Sequence, residues 1–160
     1  IRETNAIAHV LRCFSDPNVV HVDGTVDPLR DISVIDTELM LADLQTVEKR
    51  FNALEKTART GNKEAAATYG VLSRVKTALG QGNPVRALSL SPEELGLIHD
   101  FHLITAKKVL YVANIDDEGL KSPQSNENYQ KLTEHAQKEG SPVVAICGKI
   151  EAEIAERAKL

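Results

Sequence analysis

The chain has 160 residues and a mass of 17.5 kDa, and 42% of its residues are hydrophobic, 26% are charged and the formal net charge is −4. This length suits one well-buried core with a small appendage, and the composition excludes a disordered or fibrous protein. Its longest apolar runs are far shorter than the roughly 20 residues that cross a bilayer, and no charged and apolar leader precedes Ile1. We therefore expect a cytoplasmic protein without a membrane partner.

Three apolar stretches are typical of strands that are buried on both faces of a parallel sheet. They lie at residues 6–13, 108–115 and 142–147. A helical stretch at residues 126–139 separates the last two, and a final helix is expected from about residue 150. This alternation predicts an α/β fold with a parallel sheet and helices on both faces, in which ligands bind at the carboxyl ends of the strands.

About 95 residues separate the first two strands, which is far more than a crossover connection needs. Apolar residues in the stretch 31–60 recur at alternating steps of four and three, which is the seam of a two-helix coiled coil. A second helix at Lys63–Leu79 would close an antiparallel hairpin, and Ser91-Pro92-Glu93-Glu94 predicts a short capped helix. We therefore predict a helical coiled-coil domain at residues 39–87, inserted into an α/β domain of residues 1–38 and 88–160.

The predicted hairpin is strongly basic. Residues 49–86 contain eight Lys and Arg residues against two Glu residues, although the whole chain is acidic. Such a positive arm indicates a polyanionic partner such as RNA, and the alternative is a solvated face whose cations only maintain solubility. The candidate partner-binding residues are Lys49, Arg50, Lys56, Arg59, Lys63, Arg74 and Lys76.

The loop after the second predicted strand reads Asn114-Ile115-Asp116-Asp117. Its spacing matches the Asn-Lys-x-Asp loop of GTPases, in which the Lys stem covers the base and the Asp carboxylate accepts the N1 and N2 protons of guanine. Ile115 replaces the Lys and offers an aliphatic cover, while Asp117 retains the carboxylate. The loop predicts a purine pocket of altered selectivity, and an ordinary Asn/Asp turn is the alternative.

A second candidate loop, Cys147-Gly148-Lys149, follows the third predicted strand. Nucleotide-binding domains place a loop of small residues here, where it closes over the base. Gly148 alone would only indicate a turn, so its value as a candidate comes from its position after the third strand.

We expect Cys13 and Cys147 to be buried reduced thiols. They follow predicted strands that, when two places apart in the sheet, lie about 10 Å from each other, which is too far for a disulfide.

Other motifs do not carry chemistry in this chain. Residues 116–119 fit the D-x-x-G pattern of a γ-phosphate sensor, but no G-x-x-x-x-G-K-[ST] motif occurs in the 160 residues. His99 and His102 have a permissible metal spacing without a third ligand, and no Ser-His-Asp or Cys-His set can be assembled. The sequence predicts neither catalytic residues nor metal ligands.

An irregular string of residues occupies the first 45 positions: Ile1-Arg2-Glu3, His9-Val10-x-Arg12-Cys13-Phe14, Val20-His21-Val22-x-Gly24, Val26-Asp27-Pro28-x-Arg30-Asp31-Ile32 and Thr37-Glu38-Leu39-x-Leu41-Ala42-Asp43-Leu44. Together with the loops at residues 112–118 and 147–151, this string resembles the YchF-type Obg-like ATPases, which are P-loop proteins of the translation-factor class. The match spans essentially the whole chain.

The resemblance implies the rear portion of a P-loop NTPase G-domain, in a ribosome- or RNA-associated switch that prefers ATP to GTP and hydrolyses it with Mg²⁺. It also implies that backbone groups around Ile115 hold adenine, with Asn114, Asp117, Cys147 and Gly148 lining the base side. Asp117 departs from the usual Glu, which leaves the choice of base open. The family's P-loop, switch regions and carboxy-terminal β-grasp domain are missing, so we expect an internal segment that is inactive alone. We also expect a monomer.

Two other function classes are compatible with the residues. A non-enzymatic adaptor would bind RNA or protein through the basic hairpin and use the sheet only as a platform. A flavodoxin-like receiver or binding domain would require an acidic or flavin-binding loop at the front of the sheet, and we see none in the sequence.

Overall fold

A computed structural model of the chain describes residues 3–14 and 25–158. The elements are β1 (Ala6–Arg12), α1 (Pro28–Arg59), α2 (Lys63–Gly80), α3 (Pro92–Ile98), β2 (Lys108–Asn114), α4 (Asp117–Lys121), α5 (Glu127–Glu139), β3 (Val143–Ile146) and α6 (Gly148–Arg157), with short 3-10 turns at Val85–Ala87, His99–Phe101, Ile104–Ala106 and Pro123–Ser125. The segments Ile1-Arg2 and Val20–Gly24, which contribute to the family resemblance, lie outside the described residues.

The chain divides into two compact units. One comprises residues 1–5 and 34–108, and the other comprises residues 6–33 and 109–160. We call them the helical unit and the α/β unit. The predicted boundary at residue 87 differs from this division, because residues 88–106 contribute Ile98, Leu103 and several half-buried side chains to the core of the helical unit.

The described part of the α/β unit contains a sheet with the strand order β1-β2-β3. β2 and β3 are parallel, in a register that pairs Tyr111 with Val143 and Asn114 with Ile146. All three predicted strands are present, each within two residues of its expected bounds. The predicted α/β class with a parallel sheet is therefore confirmed.

One face of this sheet builds the core of the α/β unit. Its buried members are Leu11, Cys13, Val109, Tyr111, Ala113 and Ile115 from the strands and the segments that follow them, together with Ile32, Leu132 and Ala136 from helices α1 and α5. On the other face, Val10 is 60% and Val144 is 42% exposed. Val112, which pairs with Val144 on the same face, is only 9% exposed. Part of this face is therefore shielded from solvent, and helices on both faces remain a prediction.

In the helical unit, α1 and α2 pack side by side through the predicted apolar positions. Phe51 stacks on Tyr69 with ring centroids 4.1 Å apart, and Glu48 pairs with Lys76 at 3.2 Å. The residue number rises along α2 as it falls along α1, so the two helices run antiparallel. Gly61, with a φ of 88°, lies in the turn between them, where a left-handed conformation favours glycine.

A buried carboxylate anchors the chain that returns to the sheet. Asp43 of α1 is fully buried and accepts the backbone N–H groups of Ile104 at 2.8 Å and of Thr105 at 2.7 Å. The Thr105 hydroxyl in turn accepts the N–H of Val85 at 3.2 Å. These bonds attach the turn before β2 to α1, which is why this segment groups with the helical unit.

Helix ends follow the predicted capping chemistry. Ser91 and Glu94 form a complete capping box at the start of α3, with Pro92 in the first turn. The short helix α4 was not expected from the sequence. Asp116 caps it by accepting the N–H of Gly119 at 2.7 Å, so the D-x-x-G segment acts as a helix start.

No helix in the described part of the chain has the length and apolar character needed to cross a membrane.

Candidate functional site

The two predicted base-side loops are joined by a hydrogen bond between Asn114 and Gly148. The backbone N–H of Gly148 donates to the Asn114 side-chain oxygen at 2.9 Å. A Cβ atom at position 148 would come within 3.3 Å of both Oδ1 and Nδ2 of Asn114. The close approach of its backbone to the loop after β2 therefore favours a small residue such as glycine in the loop after β3.

A second contact joins the same two loops through Cys147 and Asp117. The Cys147 thiol is 3% exposed and donates from Sγ to Oδ1 of Asp117 at 3.1 Å. Asp117 is the exposed first residue of α4, and Asp116 fixes the backbone there by capping that helix. The carboxylate is thus held at one oxygen by a buried donor from the neighbouring loop.

Ile115 differs from its predicted role as an aliphatic cover for a base. It is 1% exposed, and it belongs to the hydrophobic core with Tyr111 and Ala113. Its N–H donates to the carbonyl of Ile146 at 2.9 Å, so this group is committed to the sheet. The reason is the two-residue period of a strand, which continues past the end of β2 and turns position 115 inward.

Asn126 also belongs to this region, and the sequence analysis missed it. Its side-chain N–H₂ donates to the Cys13 carbonyl at 2.8 Å, and its side-chain oxygen caps α5 by accepting the N–H of Tyr129 at 2.9 Å. The Cys13 N–H donates to the Asn114 carbonyl at 2.8 Å. Asn126 therefore connects the end of β1 to α5 beside the base loop. An Asn before a helix predicts the cap, but the residues around Asn126 in the sequence give no indication of its contact with the distant Cys13.

Both cysteines are free and buried, as expected. Burial raises the pKa of the Cys13 thiol to about 11, and the negative charge of Asp31 adds to the shift. Cys13 is consequently a neutral thiol at physiological pH and supports packing.

The seven candidate partner-binding cations separate into two groups. Four have partners within the chain. Three of these form ion pairs: Arg59 with Glu55 at 2.7 Å, Lys76 with Glu48 at 3.2 Å, and Arg74 with Glu94. The fourth, Arg50, makes a cation–π contact, with its guanidinium 5.3 Å from the ring centroid of Phe101. Lys49, Lys56 and Lys63 are exposed and form no ion pair with the described residues. We call these three residues the lysine stripe.

The excess charge of the hairpin is smaller in the structure than in the sequence window. Asp36, Glu48 and Glu94 lie outside residues 49–86, yet folding places them on Arg86, Lys76 and Arg74. A count along the chain omits such partners, because ion pairs depend on proximity in space. Within the candidate set, the lysine stripe is the part that no acidic or aromatic side chain among the described residues engages.

Comparison with known proteins identifies the relatives of this chain. No family model matches it. It is 44% identical over 156 residues to the ribosome-binding ATPase YchF of Bacillus subtilis (strain 168), an alignment that covers 98% of this chain and 43% of that protein. The ribosome-binding ATPase YchF of Escherichia coli O157:H7 is also 44% identical over 156 residues, covering 98% and 42%. The resemblance to the YchF-type ATPases is confirmed.

A solved YchF structure supports the same relationship. The Schizosaccharomyces pombe YchF GTPase matches with a TM-score of 0.77 and 29% identity, over 91% of this chain and 40% of that one. The chain spans about two fifths of the length of the YchF proteins that it matches.

The described residues provide no metal centre to compare with an ATPase site. They contain no group of three His, Cys, Asp or Glu side chains that could hold a metal ion. His99 and His102 are exposed, with ring centroids 6.1 Å apart. The candidate loops are joined by hydrogen bonds, and the lysine stripe on α1 and α2 is exposed.

Proposed function

We propose that this chain is the base-recognition side and the partner-binding arm of a ribosome-associated, YchF-type protein that binds and hydrolyses ATP or GTP. The observation that carries the proposal is the pair of contacts, Gly148 to Asn114 and Cys147 to Asp117, between the two loops that the resemblance assigns to the base. The names of the relatives, which are ribosome-binding ATPases and a GTPase, support the activity and the partner.

In this proposal each loop residue has a distinct task. Asn114 braces the two loops, and Gly148 allows their close approach. Asp117 offers a carboxylate, which accepts hydrogen bonds from N–H groups on the edge of a purine. Ile115 contributes by fixing the base loop to the sheet from inside the core, and the backbone that follows it faces the ligand. Cys147 holds Asp117 in place.

Hydrolysis belongs to the longer parent protein. A P-loop and Mg²⁺ would supply the phosphate grip and the charge neutralisation that phosphoryl transfer needs, and this chain contains no P-loop motif. We therefore place no catalytic residue and no magnesium ligand in the described residues, and we expect this chain to be inactive alone. We also propose that the parent is a cytoplasmic monomer.

A fluorescent nucleotide titration tests the nucleotide part of the proposal. Binding of N-methylanthraniloyl-ATP, with displacement by ATP and by GTP, should be measured on the full-length natural protein and on this chain. We expect displaceable binding by the full-length protein and weak or no binding by this chain. Absence of binding by the full-length protein would overturn the proposal, and RNA binding without nucleotide binding would indicate the adaptor instead.

We further propose that α1 and α2 form an inserted coiled-coil arm that contacts ribosomal RNA through the lysine stripe. Its three lysines recur at intervals of seven residues, two on α1 and one at the start of α2. Two turns of helix span about 10.5 Å, so Lys49 and Lys56 lie on one side of α1 within reach of the same nucleic acid backbone.

The arm proposal is tested by reversing the three charges of the lysine stripe. Lys49→Glu, Lys56→Glu and Lys63→Glu together should weaken ribosome or RNA binding more than tenfold at moderate salt, because up to three phosphate contacts are lost. The matched control reverses Lys108, Lys121 and Lys138, three exposed lysines outside the hairpin. Equal losses in both variants would show a general charge effect and contradict the arm proposal.

A further inference from the structure

We propose that the Cys147 thiol is a positioning residue that sets the purine selectivity of the base loop. This inference rests on the proposed function, since it assigns a task within the same two loops. The contact that carries it is the hydrogen bond from Cys147 Sγ to Asp117 Oδ1 at 3.1 Å, made by a thiol that is buried while its acceptor is exposed.

Both ends of this hydrogen bond are attached to a fixed backbone. The residue after Cys147 is held by its N–H bond to Asn114, and Asp117 begins a helix that Asp116 caps. Neither partner therefore needs to move for the bond to persist. The thiol defines where one oxygen of the Asp117 carboxylate lies.

The thiol contact weakens one of the two oxygens with which the carboxylate could grip guanine. Guanine presents two donors on one edge, the N1 proton and the 2-amino group, and a carboxylate accepts both only by using its two oxygens together. Oδ1 keeps a second lone pair, but because the Cys147 thiol already donates to it, Oδ1 is a weaker and more crowded acceptor for a donor from the base. The competition weakens the two-point grip on guanine and reduces the advantage of GTP over nucleotides that offer fewer donors.

Inosine triphosphate isolates this effect from the rest of nucleotide binding. It carries the N1 proton of guanine but lacks the 2-amino group, so it can donate to one carboxylate oxygen only. The ratio of GTP to ITP affinity therefore reports whether both oxygens accept from the base. A general loosening of the loops would lower both affinities and leave the ratio unchanged.

The test measures dissociation constants for ATP, GTP and ITP on the full-length natural protein and on variants at two positions. The wild-type protein should bind GTP and ITP within about twofold of each other. Cys147→Ala removes the competing donor and should raise the GTP-to-ITP affinity ratio about threefold to tenfold, the range expected for freeing one hydrogen bond to a charged oxygen. Cys147→Ser keeps a donor and should retain the wild-type ratio.

A substitution at the exposed acceptor provides a second test that does not depend on the folding of a core variant. Asp117→Ala should lower GTP and ITP affinity to a similar degree, because the thiol contact leaves the wild-type carboxylate with little additional grip on the 2-amino group of guanine. A selective tenfold loss of GTP affinity in Asp117→Ala, or an unchanged ratio in a folded Cys147→Ala, would overturn the inference alone. Wild-type protein that binds none of the three nucleotides would overturn the proposed function and the inference with it.

Discussion

The carboxylate of Asp43 accepts a hydrogen bond from the backbone N–H of Thr105 at 2.7 Å. The two residues are 62 positions apart in the sequence, and both are fully buried. It also accepts the N–H of Ile104. Asp43→Ala would leave two buried amides unsatisfied, so we expect it to lower the free energy of unfolding by about 2–4 kcal/mol. Urea denaturation measures this loss.

The control for Asp43 is a carboxylate whose contacts are exposed. Glu55→Ala breaks only the ion pair between Glu55, whose side chain is 42% exposed, and Arg59, whose side chain is 76% exposed. It should lower the free energy of unfolding by less than about 1 kcal/mol. If the two variants were equally stable, the amide contacts of Asp43 would not carry the stability assigned to them.

Gly148→Ala should weaken nucleotide binding by the full-length protein about fivefold or more. The added Cβ would press on the Asn114 amide, which lies at 3.3 Å and braces the two loops. Gly70→Ala is the matched control, because it lies within α2 with no atom near its new Cβ, and it should stabilise the protein by up to about 1 kcal/mol. Unimpaired nucleotide binding by Gly148→Ala would contradict the role of the close approach.

The Cys13 thiol should make stability depend on pH in the alkaline range. Its pKa rises from 9.0 to about 11 on folding, so the folded state holds a proton that the unfolded state releases. The contribution is complete below about pH 9 and is lost as the pH rises through about 11. Comparing wild type with Cys13→Ala by denaturation at pH 8 and pH 10.5 should show a steeper decline for wild type. Parallel declines would refute this assignment.

Tyr111→Phe should destabilise the protein by about 1–2 kcal/mol. The phenol is fully buried, and its hydroxyl donates to Glu139 at 2.8 Å, so the substitution removes a bond to a carboxylate and keeps the ring packing. Tyr69→Phe is the control, because its ring stacks on Phe51 and its hydroxyl has no hydrogen bond among the described residues. Thermal denaturation measures the difference in stability between the two variants. Equal melting temperatures would contradict a stabilising role for the hydrogen bond of Tyr111.

Local patterns predicted most of the secondary structure. The capping box at Ser91 and the apolar positions around Phe51 are set by neighbours within a few residues, so their outcomes could be inferred from the sequence. Contacts between distant segments could not. Asp43 bonds to a residue 61 positions away in the sequence, and Asn126 bonds to a residue 113 positions away. A single sequence carries no signal for contacts of this range.

The fold modifies two inferences from the sequence for identifiable physical reasons. Ile115 was aligned with a lysine that covers a base, but the strand period places it in the core. The charge of residues 49–86 was counted without Glu48 and Glu94, which folding pairs with Lys76 and Arg74. The family motif located the candidate loops correctly with respect to the strands, while the direction of each side chain required the fold.

Under the proposed function, the bond between Asn114 and Gly148 has a consequence for how tightly the loops hold a base. Together with the contact of Cys147 on Asp117, it restricts the motion of both loops before any base arrives. Binding then costs little conformational entropy, because few rotamers and backbone angles remain to be ordered. Affinity at these loops should accordingly vary with the hydrogen bonds that a base offers, and the loops should show slow amide hydrogen exchange even without nucleotide.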